Sequence, residues 1–222
     1  MNKQILVLAA HPDDEALGCG GTIARLIDEG YDATVMFMTD GVGARKLKYL
    51  EKSKRKSAAK KACKIIGFKK IYFNNFPDNQ LDSVPLLKII KKIENLLHKI
   101  SPTLIFTHHQ DDINIDHSIV SQATFTASRF YRPKNLKIFT YEVLSSSNIN
   151  FGKKNYLFEP NTFINIEKTI NRKIKAIKMY KDELRDFPHP RSIEGVKILA
   201  KFRGMHSSNN FAEAFDLKKN II

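Results

Sequence analysis

The sequence predicts an α/β fold: a three-layer, mostly parallel Rossmann-like sheet with helices on both faces and a small C-terminal β/α elaboration. Short apolar runs alternate with longer stretches of helical periodicity, in the order βαβαβαβα. Turn residues such as Gly30, Asp40-Gly41 and Gly67 separate the runs. This alternation predicts a strand order of about 3-2-1-4-5, in which ligands bind beyond the carboxyl ends of the strands.

The first strand is predicted at QILVLAA, and the helix ALGCGGTIARLIDEG follows it and ends at Gly30. The next elements are the strand DATVMFMT, the basic helix LKYLEKSKRKSAAKKACKIIG, the strand KIYF, the loop FPDNQLD, the helix SVPLLKIIKKIENLLHKI, the strand SPTLIFTH, the loop HQDDINID and the helix HSIVSQATFTASRF. Ser83 is the predicted N-cap of the third helix, with Pro85 in its first turn. Three glycines of the first helix predict close helix–sheet packing rather than a phosphate-binding loop: Gly18, Gly20 and Gly21.

The pattern changes after Arg132-Pro133. The predicted elements there are the strands LKIFTYEVL and NTFINIE, the helices EKTINRKIKAIKMYKDEL and SIEGVKILAKFRGMHS, the break PHPRS between them, and FAEAFDLKK as a closing edge strand. With 222 residues, the chain suits a single domain, with a Rossmann-like core over about 1–132 and an elaboration over about 133–222.

The formal net charge of +14 has two interpretations, an anionic partner or a lysine-rich surface. We favour the basic surface, with attraction of a phosphorylated ligand as the main alternative, because no nucleic-acid motif occurs. Cys19 and Cys63 form neither a CxxC motif nor a disulfide framework, which favours the cytoplasm. No signal peptide or membrane span is predicted, so neither a membrane nor nucleic acid is expected as a partner, and a homo-oligomer is left open.

Two clusters of polar side chains follow strand ends: HPDDE after the first strand and HHQDDINIDH after the fourth. In the predicted strand order these strands are neighbours, so the clusters should meet at one edge of the sheet. A His and an Asp from the first cluster and a His from the second would match the three protein ligands of a catalytic zinc. Helix capping by Asp13 or Asp14 is an equally good explanation of the first cluster alone.

HPDDE after the first strand and a later loop ending in Asp-His resemble the PIG-L/LmbE-like zinc-dependent N-deacetylases. The segments TDGVGAR, FPDNQLD, YEVLSS, EPNTFINI, KIKAIKMYKDEL, PHPRS, RG and AEAF resemble a bacterial branch of that family and span nearly the whole chain. The resemblance implies an amide hydrolase that removes an N-acetyl group from an amino sugar or a related conjugate.

The resemblance also implies roles for residues of both motifs. His11, Asp14 and His117 would bind zinc, although other divalent ions also suit such a site. Asp13 would be the general base towards water, and Asp116 would orient an active-site side chain.

One residue departs from the family pattern. Many members have His-x-Asp-His in the second motif, whereas this chain has Asn114 at the first position. Asn can donate a hydrogen bond to an oxyanion but cannot carry a proton. Either Asp13 is both base and acid, or a second group helps, with His108, His109 and His189 as candidates.

Several residues in family-like segments are candidate contacts to a polyhydroxylated or phosphorylated substrate, with local loop stabilisation as an equally good explanation. These candidates are Arg45, Asp78, Asn79, His108, Glu142, His189 and Arg191. Arg191 is the best candidate for contact with an anion, because a guanidinium suits phosphate or carboxylate.

The leading hypothesis is therefore a zinc-dependent deacetylase of an anionic N-acetylated amino sugar, which could be nucleotide-linked and feed a surface glycan. One alternative is hydrolysis of another amide, in a thiol conjugate or an antibiotic precursor. Another is a non-catalytic protein that binds a metal or an anion, supported only by Asn114 and the net charge.

Overall fold

Seven strands form one mixed sheet in the order β3-β2-β1-β4-β5-β7-β6. The computed structural model describes residues 3–43, 48–131, 133–147, 149 and 157–221, without the side chains of residues 48–51. The elements are β1 Gln4–Ala9, α1 Asp14–Asp28, β2 Asp32–Thr39, α2 Lys48–Ile66, β3 Lys70–Phe76, α3 Leu86–Ile100, β4 Leu104–His108, α4 Ile115–Ser128, β5 Lys137–Tyr141, β6 Thr162–Asn165, α5 Ile170–Ile177, α6 Ile193–Met205 and β7 Ala212–Asn220. Short 3-10 turns lie at Leu81–Ser83 and Lys181–Glu183.

Strands β1 to β5 are parallel, in the order 3-2-1-4-5, so the predicted fold class is confirmed. Side chains alternate between two cores along β1, with Ile5 and Val7 facing α1, α2 and α5, and with Leu6 and Leu8 facing α3 and α4. Phe215 from β7 lies in the same core as Ile5. The predicted division near residue 132 therefore does not separate two cores.

The prediction that the last strand lies at the edge of the sheet is wrong. Strand β7 runs antiparallel between β5 and β6, and β6 is the edge strand. Strand β6 pairs only with the buried first half of β7, from Ala212 to Phe215, and the charged end of β7 lies beyond this pairing. Beyond Phe215, β5 is the one described strand that pairs with β7. Lys218 and Lys219 lie in this part of β7.

Ser83 does not cap α3, contrary to the prediction. Ser83 closes a 3-10 turn, Val84 is extended, and α3 starts after Pro85 at Leu86. A residue before proline is disfavoured in the helical region, so the helix cannot extend back through Val84. The helix predicted over EKTINRKIKAIKMYKDEL is also shorter, since α5 ends at Ile177.

Helix α1 packs closely on the sheet at Gly18. A β-carbon at Gly18 would lie 2.2 Å from Cδ2 of Tyr141, whose ring is fully buried on β5. The Tyr141 hydroxyl donates to the Leu8 carbonyl at 3.0 Å and lies 3.2 Å from Nε2 of His108. Tyr141 thus joins α1, β1 and β4 just below the carboxyl edge of the sheet.

A buried ion pair joins the middle of α1 to the C-terminal region. Lys173 of α5 and Glu213 of β7 contact each other through Nζ and Oε1, 2.5 Å apart. Glu213 accepts from the backbone N–H groups of Gly21 and Thr22, and Lys173 donates to the Leu17 carbonyl. Peptide groups inside the helix are therefore bonded to side chains from two later elements.

In the part of the chain that the structure describes, no helix is both long and apolar enough to cross a bilayer.

The close contact at Gly18 predicts the stability of two alanine variants. Gly18→Ala should lower the free energy of unfolding by about 1–3 kcal/mol, because the buried Tyr141 ring must move. Gly20→Ala is the matched control, since the closest contact of its β-carbon would be the flexible Cδ1 end of Ile66 at 3.3 Å. Urea unfolding followed by circular dichroism measures both, and equal losses would contradict the packing argument.

Candidate functional site

The two polar clusters meet at the carboxyl edge of the sheet, where the adjacent strands β1 and β4 end. His11 Nε2 lies 3.1 Å from Oδ2 of Asp116, although 105 residues separate them along the chain. The switch-point topology therefore accounts for a site that neither cluster could form alone.

Three donor atoms at this edge form a compact triangle. His11 Nδ1 lies 3.2 Å from Asp14 Oδ2 and 3.3 Å from His117 Nε2, and the last two atoms are 3.4 Å apart. Tetrahedral zinc with bonds of about 2.0–2.1 Å needs donors about 3.3 Å apart. All three residues are buried, and their donor set of two imidazoles and a carboxylate could hold a divalent cation.

Carboxylates hold the opposite ring nitrogen of His11. Its Nε2 lies 3.1 Å from Asp116 Oδ2 and 3.3 Å from Asp78 Oδ1. Asp116 is itself fixed by the backbone N–H groups of Asn79 and Leu81, at 2.8 and 3.0 Å. This arrangement sets the orientation of His11 and points Nδ1 into the triangle.

His117 has a matching support from Asp112. Oδ2 of Asp112 lies 3.1 Å from His117 Nδ1 and accepts from the hydroxyls of Ser146 and Ser147. Asp112 was not among the site residues predicted from the sequence. The only signal was its place in the Asp-Asp pair five residues before the predicted ligand.

The surroundings of both histidines favour positive charge. Burial lowers the pKa of His11, but the hydrogen bonds that its ring donates to Asp116 and Asp14 outweigh burial and raise the pKa to about 10. Burial also lowers the pKa of His117, and Asp14 and Asp112 together raise it to about 9. A divalent cation bound by these rings would take the place of their extra protons.

Asp13 is clamped at one oxygen only. Its Oδ2 lies 3.1 Å from Arg55 Nη2 and 3.2 Å from Arg191 Nη1, while Oδ1 is buried and has no hydrogen-bond partner among the described residues. Burial raises the pKa of Asp13, and the two arginines oppose that rise. The unpaired oxygen is suited to accept a proton from a neighbouring water.

Helix capping does not explain the first cluster. Asp13 precedes α1, but its side chain makes no capping hydrogen bond and its φ of 138° is unusual for a residue with a β-carbon. Such a conformation costs on the order of 1–3 kcal/mol and persists where surrounding contacts enforce it. Asp14 Oδ2 instead accepts from the His11 N–H at 2.8 Å.

The structure corrects two of the predicted substrate contacts. His108 is fully buried, and its Nε2 accepts from the Ala10 N–H at 2.9 Å, so it supports the β1 end instead of facing a ligand. Glu142 is buried as well, and Arg203 donates to both of its carboxylate oxygens, at 2.7 and 2.8 Å. His108 lies against His117, with the two rings stacked 4.0 Å apart, whereas Glu142 is paired with Arg203 of α6.

The other predicted contacts have different positions. Asp78 supports His11, and exposed Asn79 accepts from the Asn114 side chain at 3.3 Å. Asn114 caps α4 by accepting from the Asp116 N–H at 2.9 Å. Arg191 contacts Asp13 and donates to Ser145. Of the two remaining predicted contacts, His189 is exposed and accepts from the Arg191 N–H, and Arg45 lies outside the described residues.

Fold and site together define a PIG-L-type protein. The family described as "PIG-L: GlcNAc-PI de-N-acetylase" matches residues 6–128, more than half of the chain, so the chain belongs to this family. The predicted membership of the PIG-L family is thereby confirmed.

Two curated relatives are similar over most of the chain. The probable N-acetyl-alpha-D-glucosaminyl L-malate deacetylase 2 of Bacillus cereus is 28% identical over 192 residues, which cover 82% of this chain and 84% of the relative. The diacetylchitobiose deacetylase of Thermococcus kodakarensis is 24% identical over 227 residues, covering 95% of this chain and 81% of the relative.

Solved structures show the same fold. The N,N'-diacetylchitobiose deacetylase of Pyrococcus horikoshii superposes with a TM-score of 0.80 at 23% identity, over 97% of this chain and 83% of that one. The zinc-inhibited form of the teicoplanin deacetylase Orf2 gives 0.76 at 13% identity, over 96% of each chain.

The support of His117 by Asp112 predicts an effect on metal affinity. Asp112→Asn should weaken zinc binding about 10–100-fold, because the amide cannot replace the carboxylate on Nδ1 of His117. Asp111→Asn is the matched control, since the described bond of Asp111 is to exposed Gln110. Competition with a chromophoric chelator measures both affinities, and equal affinities would contradict the assignment of Asp112.

Proposed function

We propose that this chain is a zinc-dependent deacetylase that removes the acetyl group from an N-acetylated amino sugar. The observation that carries the proposal is the buried triangle of His11, Asp14 and His117 donor atoms beside Asp13, a carboxylate with one clamped and one unpaired oxygen. The deacetylase names of the relatives support the reaction class.

His11, Asp14 and His117 would hold the zinc ion, which when bound would supply a Lewis acid for the acetyl carbonyl and lower the pKa of a bound water. Asp13 accepts a proton from water at its unpaired Oδ1, while Arg55 and Arg191 keep Oδ2 in place. The water oxygen bonds to the acetyl carbon as it loses this proton. Asp13 then returns the proton to the amide nitrogen as the C–N bond breaks, which leaves acetate and a free amino group.

Asp13 is proposed as both base and acid because its Oδ1, which has no hydrogen-bond partner among the described residues, can hold the proton taken from water. The amide of Asn114 has no proton to give up, and Nε2 of His108 already accepts a backbone N–H. His189 lies exposed in its own loop. The remaining N–H of Asn114, beyond the one that contacts Asn79, can still donate to an oxyanion.

The finer proposal for the substrate is an anionic amino sugar, such as a nucleotide-linked sugar for a surface glycan. The net charge of +14 supports it, because a basic surface attracts anionic ligands. The buried free thiols of Cys19 and Cys63 support a reducing cytoplasm as the compartment.

Acetate release tests the proposed function. Zinc-loaded wild type is offered a panel of N-acetylated sugars, sugar conjugates and nucleotide sugars, with Asp13→Asn as the matched variant. We expect wild type to release acetate from at least one of them. Asp13→Asn should bind zinc with the same stoichiometry and lose about 10²–10⁴-fold in kcat, because the amide cannot accept the proton.

Two results would decide against this proposal. Stoichiometric zinc with no acetate from any compound would favour another amide substrate or a non-catalytic binder. Full activity of Asp13→Asn would assign the base to another group.

A further inference from the structure

Glu15, the third acid of HPDDE, is neither a donor in the metal triangle nor bonded to an arginine, lysine or histidine among the described contacts. It is fully buried. Its two carboxylate oxygens have separate partners. Oε2 accepts from the backbone N–H of Asp13 at 3.0 Å, and Oε1 accepts from the hydroxyl of Tyr180 at 2.6 Å.

The bond from the Asp13 N–H fixes the peptide that sets the position of the Asp13 side chain. Asp13 has φ 138° and ψ −26°, and its carbonyl accepts from the N–H groups of Ala16 and Leu17. Without an acceptor for its N–H, the residue could relax to an ordinary negative φ. That rotation would carry the carboxylate away from Arg55 and Arg191.

Tyr180 contacts both supports of Asp13. Its hydroxyl holds Glu15, and the guanidinium of Arg55 lies over its ring, 5.5 Å from the centroid. Arg55 also contacts Glu183, which lies on the 3-10 turn that follows Tyr180. The segment after α5 therefore approaches the Asp13 carboxylate from one side and the Asp13 peptide from the other.

Packing alone does not account for a carboxylate at position 15. Burying a charged or polar group next to Asp13 and Asp14 is unfavourable unless hydrogen bonds compensate it. An apolar side chain would fill the same space without that cost. The carboxylate offers what an apolar side chain cannot, two acceptors that join the Asp13 peptide to Tyr180.

We propose that Glu15 and Tyr180 are positioning residues for Asp13: the Tyr180 hydroxyl fixes the Glu15 carboxylate, which holds the Asp13 backbone in the conformation that aims its side chain. The inference rests on the proposed function, in which Asp13 acts as the base. Tyr180 lies outside residues 6–128, the part of the chain that matches the family. The positioning of the base therefore depends on the C-terminal region of this chain.

Tyr180→Phe is the cleanest test, because it removes the hydroxyl and keeps the ring beside Arg55. We expect kcat for acetate release to fall about 10–100-fold with KM little changed, as for a misplaced reacting group. Zinc stoichiometry should stay the same, because His11, Asp14 and His117 are untouched. Tyr131→Phe is the matched control, since its hydroxyl donates to the Pro102 carbonyl before β4, at the other end of that strand.

Two further variants separate positioning from charge. Glu15→Gln can still accept from the Asp13 N–H through its oxygen and donate to Tyr180 through its amide, so it should retain most of the activity. Glu15→Ala should lose it. The double variant Glu15→Ala/Tyr180→Phe should fall no further than Glu15→Ala, because the hydroxyl acts only through Glu15.

A crystal structure of zinc-loaded Tyr180→Phe provides a readout independent of activity. We expect the φ of Asp13 to leave the region near 138° and the 3.1 Å contact of Oδ2 with Arg55 to lengthen. An unchanged Asp13 with unchanged kcat would overturn the positioning role, and so would a loss of kcat that only follows a loss of zinc. If wild type releases no acetate, the proposed function fails, and the geometry of Asp13 in the variant alone decides whether the pair positions it.

Discussion

The site depends on the balance of charge at the carboxyl edge of the sheet. Six buried carboxylates lie within a few residues of the ends of β1, β3 and β4: Asp13, Asp14, Glu15, Asp78, Asp112 and Asp116. Buried anions are unfavourable unless positive charge and hydrogen-bond donors compensate them. His11 and His117 supply positive charge at the centre, and Arg55 and Arg191 supply it at one side. Backbone N–H groups donate hydrogen bonds to Asp116.

The negative charges of these carboxylates are compensated in two different ways. Asp14, Asp112 and Asp116 face imidazoles, whose positive charge a metal ion would replace. Asp13 faces guanidiniums, which stay charged under all ordinary conditions. Two adjacent residues of one motif therefore differ in chemistry. Asp14 is available to a metal ion, whereas Asp13 is held beside it with one oxygen that has no partner among the described residues.

Much of the fold could be predicted from local patterns. The apolar runs at β1 and β2 and the glycines after α1 and α2 predicted the alternating elements of the parallel core. The parallel topology in turn predicted that His11 and His117 lie close together. Arg55 could not be recognised as part of the site from the sequence. It lies in a lysine-rich helix whose basic residues are equally well explained by exposure to solvent. The position of β7 and the burial of Glu142 were missed for a similar reason. The position of β7 depends on its pairing with β6, and the burial of Glu142 depends on its pairing with Arg203. Local composition does not predict either contact between such distant segments.

The Lys173–Glu213 pair has a consequence for the modularity of the fold. Every donor atom of the metal triangle lies in the first 117 residues, which suggests a unit that could be cut out and transplanted. The peptide groups of Gly21 and Thr22, however, bond to Glu213, ninety residues and more beyond that point, and Leu17 bonds to Lys173. A fragment without the C-terminal region would lose these side-chain bonds to α1, just after the turn that presents Asp14. Recombination between relatives is therefore expected to keep these contacts only when α1 and the Lys173–Glu213 pair are exchanged together.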